Sequence, residues 1–306
     1  MLRYDDLQVF VHTSDSGSLS AAARQLEISP AVASAALKRL ESELEVRLFA
    51  RSTRSLRLTP EGDAFLLHAR ASLRSLEEGR RLLQGGKDQI AGVLQLSAPS
   101  DFGRNLLLPW LDEFQARYPQ LSLRLLLGDR VTDLYRQPVD VAIRYGAPAD
   151  SSLVALPLAP DNRPVICAAP DYLRVRGEPR QPDDLREHNC LLYQLGGRVH
   201  DRWAFQRGRR SLTLTVAGDR VCDDADVVRR WALAGKGLVY KSWLDVAEDV
   251  RAGRLRLLLP DWQGEATPMN LLCTHRAQLT RPVTLLRAFV RERCDALLAE
   301  APWTRN

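Results

Sequence analysis

Apolar residues in the first part of the chain recur at helical spacing, interrupted by capping residues. Leu7, Phe10 and Val11 stand at i, i+3 and i+4 and predict one amphipathic helix. Ser18 is a good N-cap, and the run Ala21-Ala22-Ala23-Arg24-Gln25-Leu26 behind it predicts a short helix ending near Glu27. Ser29 caps again, with Pro30 at the first helical position, where its missing N–H costs nothing. Leu37, Leu40 and Leu44 then form one buried stripe, so a helix runs from Pro30 to Leu44 with Ser34, Lys38 and Arg39 outside it. Leu56 and Leu58 alternate with Arg57 in strand fashion. Thr59-Pro60-Glu61 starts a helical pattern that meets no breaker until Gly85-Gly86.

Within that long helix Leu66 and Leu73 are seven apart, and Ala69, Leu76 and Leu83 form an interleaved series with the same spacing. Arg80 breaks the seam. A helix standing between two domains has little surface of its own chain to cover, so the stripe predicts a dimerising linker.

Beyond Gly86 the period changes. Val93 to Ser97 reads as a strand, a helix follows from about Gly103 to Tyr118, and Leu121 to Leu127 is the next strand. A short helix at Val131 to Arg136 and a strand at Val139 to Arg144 continue the alternation, which predicts parallel sheets with crossover helices. Pro164 to Ala169 opens a second set of elements with a helix from about Ala225 to Ala234 and a strand from Leu238 to Lys241. Met269 to Thr274, followed by a helix from about Pro282 to Leu298, reads as a return to the first lobe. Two lobes joined by crossing strands predict a hinged cleft.

The chain has 306 residues, 45% hydrophobic and 26% charged, enough for a large core and for two or three domains. The net charge of +5 says little about partners, because residues 1–88 hold 13 basic against 12 acidic side chains. The informative charge is local: Arg47, Arg51, Arg54 and Arg57 lie between positions 47 and 60 with no acid among them. The Pro30 to Leu44 helix is about 22 Å long, and its first turns, Ala31, Val32, Ala33, Ser34 and Ala35, are slim enough for a major groove. Two capped helices followed by an arginine-studded hairpin predict a winged helix-turn-helix that binds double-stranded DNA. Ser18, Ser29, Pro30, Ala31, Ser34 and Lys38 are the candidate contacts on the helices, and Arg51, Ser52, Thr53 and Arg54 those on the wing.

These residues carry a resemblance. Phe10, Gly17-Ser18, Ala22-Ala23, Leu26, Ser34, Leu40-Glu41, Leu48-Phe49, Arg51, Arg54, Leu58-Thr59 and Gly62 resemble the DNA-binding head of the LysR-type transcriptional regulators. Ser97-Ala98-Pro99, Phe102-Gly103, Asp140 to Gly146, Ala169 to Leu173 and Ala234 to Gly237 resemble the effector domain of the same family, so that the likeness covers nearly the whole chain. Two positions depart from it. Glu45 stands where the family usually has glycine, which suggests a different exit from the recognition helix, and Ala35 stands where many members carry a long polar residue. The resemblance implies an α+β winged helix-turn-helix head (residues 1–59), a linker helix (60–88) and a two-lobed, periplasmic-binding-protein-like α/β effector domain (89–306). Lobe I takes about 89–163 and 268–306, and lobe II about 164–267. It also implies a homodimer through the linker helix and a tetramer built as a pair of dimers, working in the cytoplasm.

In such a domain ligands sit beyond the carboxyl ends of strands, near helix N-termini. The candidate effector contacts are therefore Ser97, Ser100, Asp101, Phe102, Asp129, Arg144, Tyr145, Gly146, Asp223 and Asp224. Ser97, Ser100 and Arg144 suit a carboxylate, although each also suits a structural role as cap or ion-pair partner. Asp101 and the cluster Asp223, Asp224 and Asp226 add negative charge, and on that ground a neutral, amine-bearing or mixed polar effector is expected.

The five cysteines (Cys167, Cys190, Cys222, Cys273, Cys294) are odd in number, far apart and without Cys-x-x-Cys spacing, so reduced thiols are the default. Some regulators of the resembled family sense oxidants through a disulfide, for which Cys190 with Cys222 is the candidate pair. No metal site, cofactor site or membrane span is readable. The competing classes are an architectural DNA-binding oligomer without an effector and an α/β enzyme with a DNA-targeting head. For the enzyme there is no Gly-x-Ser-x-Gly elbow, phosphate-cradling glycine loop or His-Glu-x-x-His.

Overall fold

The computed structural model describes residues 1–51, 56–84, 90–129, 139–147 and 153–304. The helix expected at 131–136 and the wing residues Ser52, Thr53 and Arg54 lie outside the described residues. The chain divides into two compact units, Met1–Gln89 and a second beginning at Ile90.

The first unit contains α1 (Tyr4–Ser16), α2 (Leu19–Gln25), α3 (Pro30–Leu44), a hairpin of β1 (Phe49–Arg51) and β2 (Leu56–Leu58), and α4 (Pro60–Gln84). Both predicted N-caps are made: the Ser18 hydroxyl accepts from the Ala21 N–H at 3.4 Å, and the Ser29 hydroxyl from the Val32 N–H at 3.3 Å. Phe10 is fully buried, with the rings of Phe49 and Phe65 each 5.6 Å away, so the wing and the start of α4 close over α1. Leu66 and Ala69 are buried in this same core and Leu73 packs against it, whereas Leu76 is 58% exposed. The first turns of α4 therefore belong to the head.

Glu41 joins α3 to the wing. Its side chain is buried, and its Oε1 accepts the Leu48 and Phe49 N–H groups at 2.9 and 3.3 Å while Oε2 receives Arg47 at 2.9 Å. The Leu48 carbonyl accepts the Thr59 N–H at 3.0 Å, and a Cβ on Gly62 would stand 2.1 Å from that oxygen. α4 can approach the hairpin this closely only because residue 62 lacks a side chain.

The expectation of a different exit from α3 is corrected. Glu45 takes the left-handed conformation, φ 56° and ψ 22°, that glycine usually supplies there. A residue with a Cβ holds that conformation at a cost of about 1 kcal/mol.

The second unit begins with β3 (Gly92–Ala98), α5 (Ser100–Phe102), a π-helical turn (Gly103–Leu107) and α6 (Leu108–Arg117). β4 (Leu121–Leu127), β5 (Val141–Tyr145) and β6 (Val154–Ala159) complete the outward pass through the first lobe. The second lobe holds β7 (Pro164–Ala168), α7 (Pro170–Arg176), β8 (Cys190–Leu195), β9 (Arg198–Val199), β10 (Arg202–Arg207), β11 (Arg210–Thr215) and β12 (Val221–Cys222). It ends with α8 (Ala225–Leu233), β13 (Leu238–Ser242), α9 (Trp243–Arg251), β14 (Arg256–Leu258) and β15 (Gln263–Gly264). The chain then returns as β16 (Met269–Cys273) and α10 (Arg281–Leu298).

The sheets are mixed rather than parallel as expected. In the order β4-β3-β5-β16-β6, β3 is parallel to β4 and β5, while the returning β16 is antiparallel to both β5 and β6. In the order β12-β8-β13-β7-β14, β7 is antiparallel to β13 and β14. In each sheet the reversed strand adjoins a crossing between the lobes. The crossings are tied where Asn162 and Thr267 exchange bonds: the Thr267 N–H donates to the Asn162 carbonyl at 2.9 Å and Asn162 Nδ2 to the Thr267 carbonyl at 2.8 Å. The first helix begins at Ser100, three residues before the expected Gly103, because the π-helical turn continues α5 into α6. The β10–β11 hairpin was not expected; it buries Trp203, Phe205 and Leu214 in a core of the second lobe.

One hydrophobic cluster runs through both lobes, from Leu96 and Phe102 to Val228, Val239 and Trp243. The Trp243 indole N–H donates to the Leu297 carbonyl at 2.9 Å, so α9 is fastened to α10. The two lobes thus share a continuous core.

Replacing Glu45 with glycine relieves the left-handed strain, and the variant should be more stable by about 0.5–1 kcal/mol. Chemical denaturation of the full-length protein reads this directly; a midpoint that stays put or falls would show that the conformation costs nothing.

Candidate functional site

On α3, Ser29, Pro30, Ala31 and Lys38 are exposed and Ser34 is half-buried. Ser18 is half-buried at the start of α2, and Arg51 ends β1. The same outward face carries Val32, 51% exposed, and Ala35. Val32 was not among the sequence candidates, yet a large apolar side chain in water at the slim end of a helix was its signal. Arg39 is committed elsewhere, since it holds the buried Asp6 at 2.6 Å. Arg47, counted with the wing's cations, reaches back to Glu41.

The effector candidates separate into three groups. Phe102 is fully buried, its ring edge-to-face with Trp110 at 5.7 Å, and is a core residue. Gly146 caps the end of β5, its carbonyl accepting from Asn270 Nδ2 at 2.9 Å. Asp223 is exposed in the turn between β12 and α8.

The second group is a buried charge network between the lobes. Asp101, 1% exposed, is ion-paired with Lys241 and lies 3.9 Å from Arg229. Lys241 also meets Asp245 at 3.3 Å and donates to the Ala225 carbonyl at 3.1 Å. Asp245 accepts the Tyr145 hydroxyl at 2.7 Å, and Arg229 holds Asp249 at 2.6 Å. Burial pushes the Asp101 carboxyl up to about 7 against the pull of Lys241 and Arg229, while Asp101 and Asp245 hold Lys241 protonated. Burial and the neighbouring Asp245 push the Tyr145 hydroxyl well above its ordinary value.

The third group surrounds the start of α8. Asp129 Oδ1 accepts the Ser100 N–H at 2.8 Å, and its Oδ2 accepts both the Ser100 hydroxyl and, at 2.8 Å, the Ala225 N–H. Asp224 caps α8 through the Asp226 and Val227 N–H groups and is held at 2.8 Å by Arg104. Asp226 is paired with Arg230 at 3.0 Å and receives Asn105 Nδ2 at 2.9 Å. Beside this group, Arg144 donates to the Ser97 hydroxyl and the Ile143 carbonyl, each at 2.7 Å. Among the described residues no carboxylate forms an ion pair with Arg144, and burial pulls its guanidinium below its ordinary value while Asp129 pulls the other way. The expectation of surplus negative charge is therefore corrected for Asp101, Asp224 and Asp226, each of which is matched by a cation; among the described residues the half-buried Arg144 and Asp129 are opposite charges outside these ion pairs.

The cysteines offer no disulfide at the candidate pair. Cys222 lies opposite Tyr193 in the β12–β8 ladder, three positions from Cys190, which places them about 10 Å apart along the strands, beyond the reach of a disulfide. Burial pushes the Cys167, Cys190 and Cys294 thiols up to about 12. Among the described residues no helix is long and apolar enough to cross a membrane, and no cluster of side chains suits a metal ion.

A winged helix-turn-helix in one unit and a two-lobed α/β domain in the other define a DNA-binding regulator with a separate effector-binding domain. Residues 4–63 match the description "bacterial regulatory helix-turn-helix protein, lysR family", and residues 87–295 match "LysR substrate binding domain". The chain belongs to the LysR family of transcriptional regulators. It is 31% identical over 283 residues to the HTH-type transcriptional activator TtdR of Escherichia coli K12, covering 92% of this chain and 89% of that one. To the activator AaeR of the same strain it is 32% identical over 286 residues, covering 94% and 92%. The structure of CrgA, a LysR-type regulator from Neisseria meningitidis, superposes with a TM-score of 0.60 at 30% identity, over 95% of this chain and 98% of that one. A full-length variant of OxyR from Pseudomonas aeruginosa shares the fold, with a TM-score of 0.67 at 18% identity over 95% and 98% of the two chains.

The Asp101 carboxyl has a pH signature. Its folded pKa of about 7 lies above the ordinary 3.8, so the native state takes up the proton first as pH falls. Its contribution is then most favourable below about pH 4 and declines as pH rises toward 7. Asp101→Asn should flatten the fall in melting temperature between about pH 5 and pH 7, relative to the parent. Parallel curves for the two proteins would contradict the raised value.

Proposed function

We propose that α3 enters the major groove of double-stranded DNA through Ser29, Pro30, Ala31, Ser34 and Lys38, with Val32 and Ala35 against base methyl groups. Arg51, with Ser52, Thr53 and Arg54, grips phosphates or a narrow minor groove. Ser18, which caps α2 at the turn that follows α1, completes the DNA contacts on the helices. The observation that carries this reading is the slim, exposed face of α3 next to a hairpin that Glu41 holds to the same helix.

The effector enters between the lobes near Ser97, Ser100, Asp129 and Arg144. Arg144, which forms no ion pair among the described residues, favours an effector with an acidic group, and the pairing of Asp101 and Asp224 with cations removes the reason to expect a neutral or amine-bearing one. The protein works as a cytoplasmic regulator that binds and transmits, without catalysing a reaction. Leu76 continues the apolar stripe of α4 after Leu66, Ala69 and Leu73 have been used by the head, which supports a homodimer through the outer part of this helix and a tetramer made of two such pairs.

Binding to double-stranded fragments that flank the coding sequence tests the DNA reading. Arg51→Ala should weaken binding on every sequence alike and reduce the slope of log affinity against log salt by about 1. A slope equal to that of the parent would remove Arg51 from the phosphate contacts.

Leu76→Arg should lower the oligomeric state in sedimentation while leaving the unfolding transition of the head in place. An unchanged sedimentation coefficient would exclude a dimer seam at this turn.

A further inference from the structure

We propose that Asp129 is a built-in occupant of the effector's acidic position, a strap that holds the second lobe to the first until an effector carboxylate takes its place. Asp129 follows β4 in the first lobe, and its carboxylate reaches the first backbone N–H of α8 in the second lobe at 2.8 Å. The same carboxylate accepts the N–H and hydroxyl of Ser100, which also bonds the Ala225 N–H at 3.1 Å. One carboxylate thus satisfies donors from both lobes at once, in the geometry a ligand's acidic group would need to bridge them.

Two features separate this contact from an ordinary helix cap. The capping of α8 is already done by Asp224, whose Oδ1 accepts the Asp226 and Val227 N–H groups at 2.9 and 3.3 Å. Asp129 therefore adds an inter-lobe bond to a helix that has its own cap. Second, the displaced charge has somewhere to go: Arg144 feels the Asp129 carboxylate and forms no ion pair among the described residues. Exchange then proceeds without stranding a carboxylate. The incoming acid takes the Ser100 and Ala225 donors, and Asp129 moves to the guanidinium. Charge is conserved at the helix ends, and the net event is the movement of Asp129 away from α8.

This inference rests on the reading that the cleft takes an acidic effector, and the test separates the two. The experiment uses full-length protein, thermal unfolding, and formate or acetate as probe, with chloride at equal ionic strength and acetamide as controls. Asp129→Ala should melt about 4–8 °C below the parent. Acetate or formate should restore part of that loss, rising with the logarithm of concentration, while acetamide and chloride do not. The parent should gain nothing from these small acids, because its position is filled. Asp129→Ser, which also vacates the carboxylate position but keeps a polar side chain, should show the same carboxylate-dependent gain if Asp129→Ala folds poorly. Absence of a carboxylate-specific gain in both variants, or an equal gain in the parent, overturns the strap. In that event, stabilisation of the parent by a larger dicarboxylate that Arg144→Ala abolishes would keep the acidic-effector reading alive, and its absence would end that reading as well.

Discussion

A carboxylate and an ammonium taken out of water must remain together. Asp101 and Lys241 are each under a tenth exposed, and they belong to different lobes. Removing one partner of such a pair leaves a buried charge uncompensated, at roughly 3–5 kcal/mol. The network widens this constraint, since Lys241 also answers to Asp245, and Asp245 to Tyr145 of the first lobe. Any motion that parts α5 from β13 would separate these charges in a medium of low dielectric. With a single hydrophobic core running beneath them, the lobes are bolted at their base. Arg144 and Asp129 are half-buried and, with the buried Ser97 and Ser100, lie outside this bolt; they are the groups that the proposed effector would rearrange. A ligand shifts an equilibrium only by its difference in affinity for the two states, and in the proposed exchange that difference would reside in the hydrogen bonds among Ser100, Asp129 and Ala225.

The same chemistry recurs at smaller scale. Glu41 in the head and Asp129 between the lobes each use a side-chain carboxylate to collect two backbone N–H groups from neighbouring segments, and Asp140 before β5 accepts that of Gln95. Charge-assisted bonds of this kind are stronger than neutral ones and fix direction as well as distance. In the head the result is a wing whose root is held by the recognition helix itself, so groove and backbone contacts keep a constant spacing. Glu45 marks the cost of packing these parts closely: α3 must turn out abruptly to let the chain reach Arg47 and Leu48, and it does so through a left-handed residue that is not glycine.

Local signals wrote the helices clearly. Ser29-Pro30 and the leucine stripe gave α3 its bounds, and the alternating apolar run gave β4, because caps and periodicity act within a few residues. Strand direction did not follow from the same signals. A buried strand has the same pattern whether its neighbour is parallel or antiparallel, and β16 and β7 take their direction from the crossings between lobes. The β10–β11 hairpin was missed because Arg202, Gln206 and Arg207 interrupt its apolar positions and Trp203 and Phe205 bury only against the second lobe. The charge of the effector candidates was misread. Asp101 and Asp224 looked like surplus acids because Lys241, Arg229 and Arg104 are remote from them in sequence, and only the fold brings them together; the Asp226–Arg230 pair, four residues apart on α8, was legible and was overlooked.

The apolar stripe of α4 shows how one sequence pattern can be divided between two uses. Leu66 and Ala69 are consumed by the head and Leu73 leans on it, so the leucines that look like one heptad seam begin as core residues. Gly62 brings the helix hard against the Leu48 carbonyl, which leaves no slack between α4 and the wing. A helix fused this tightly to its head cannot be repacked outward from residue 76 without carrying α3 along. In the proposed dimer, the angle at which two copies of α4 meet is therefore also the angle at which two recognition helices are presented. A small change in that crossing is magnified along the helix into a change in half-site spacing.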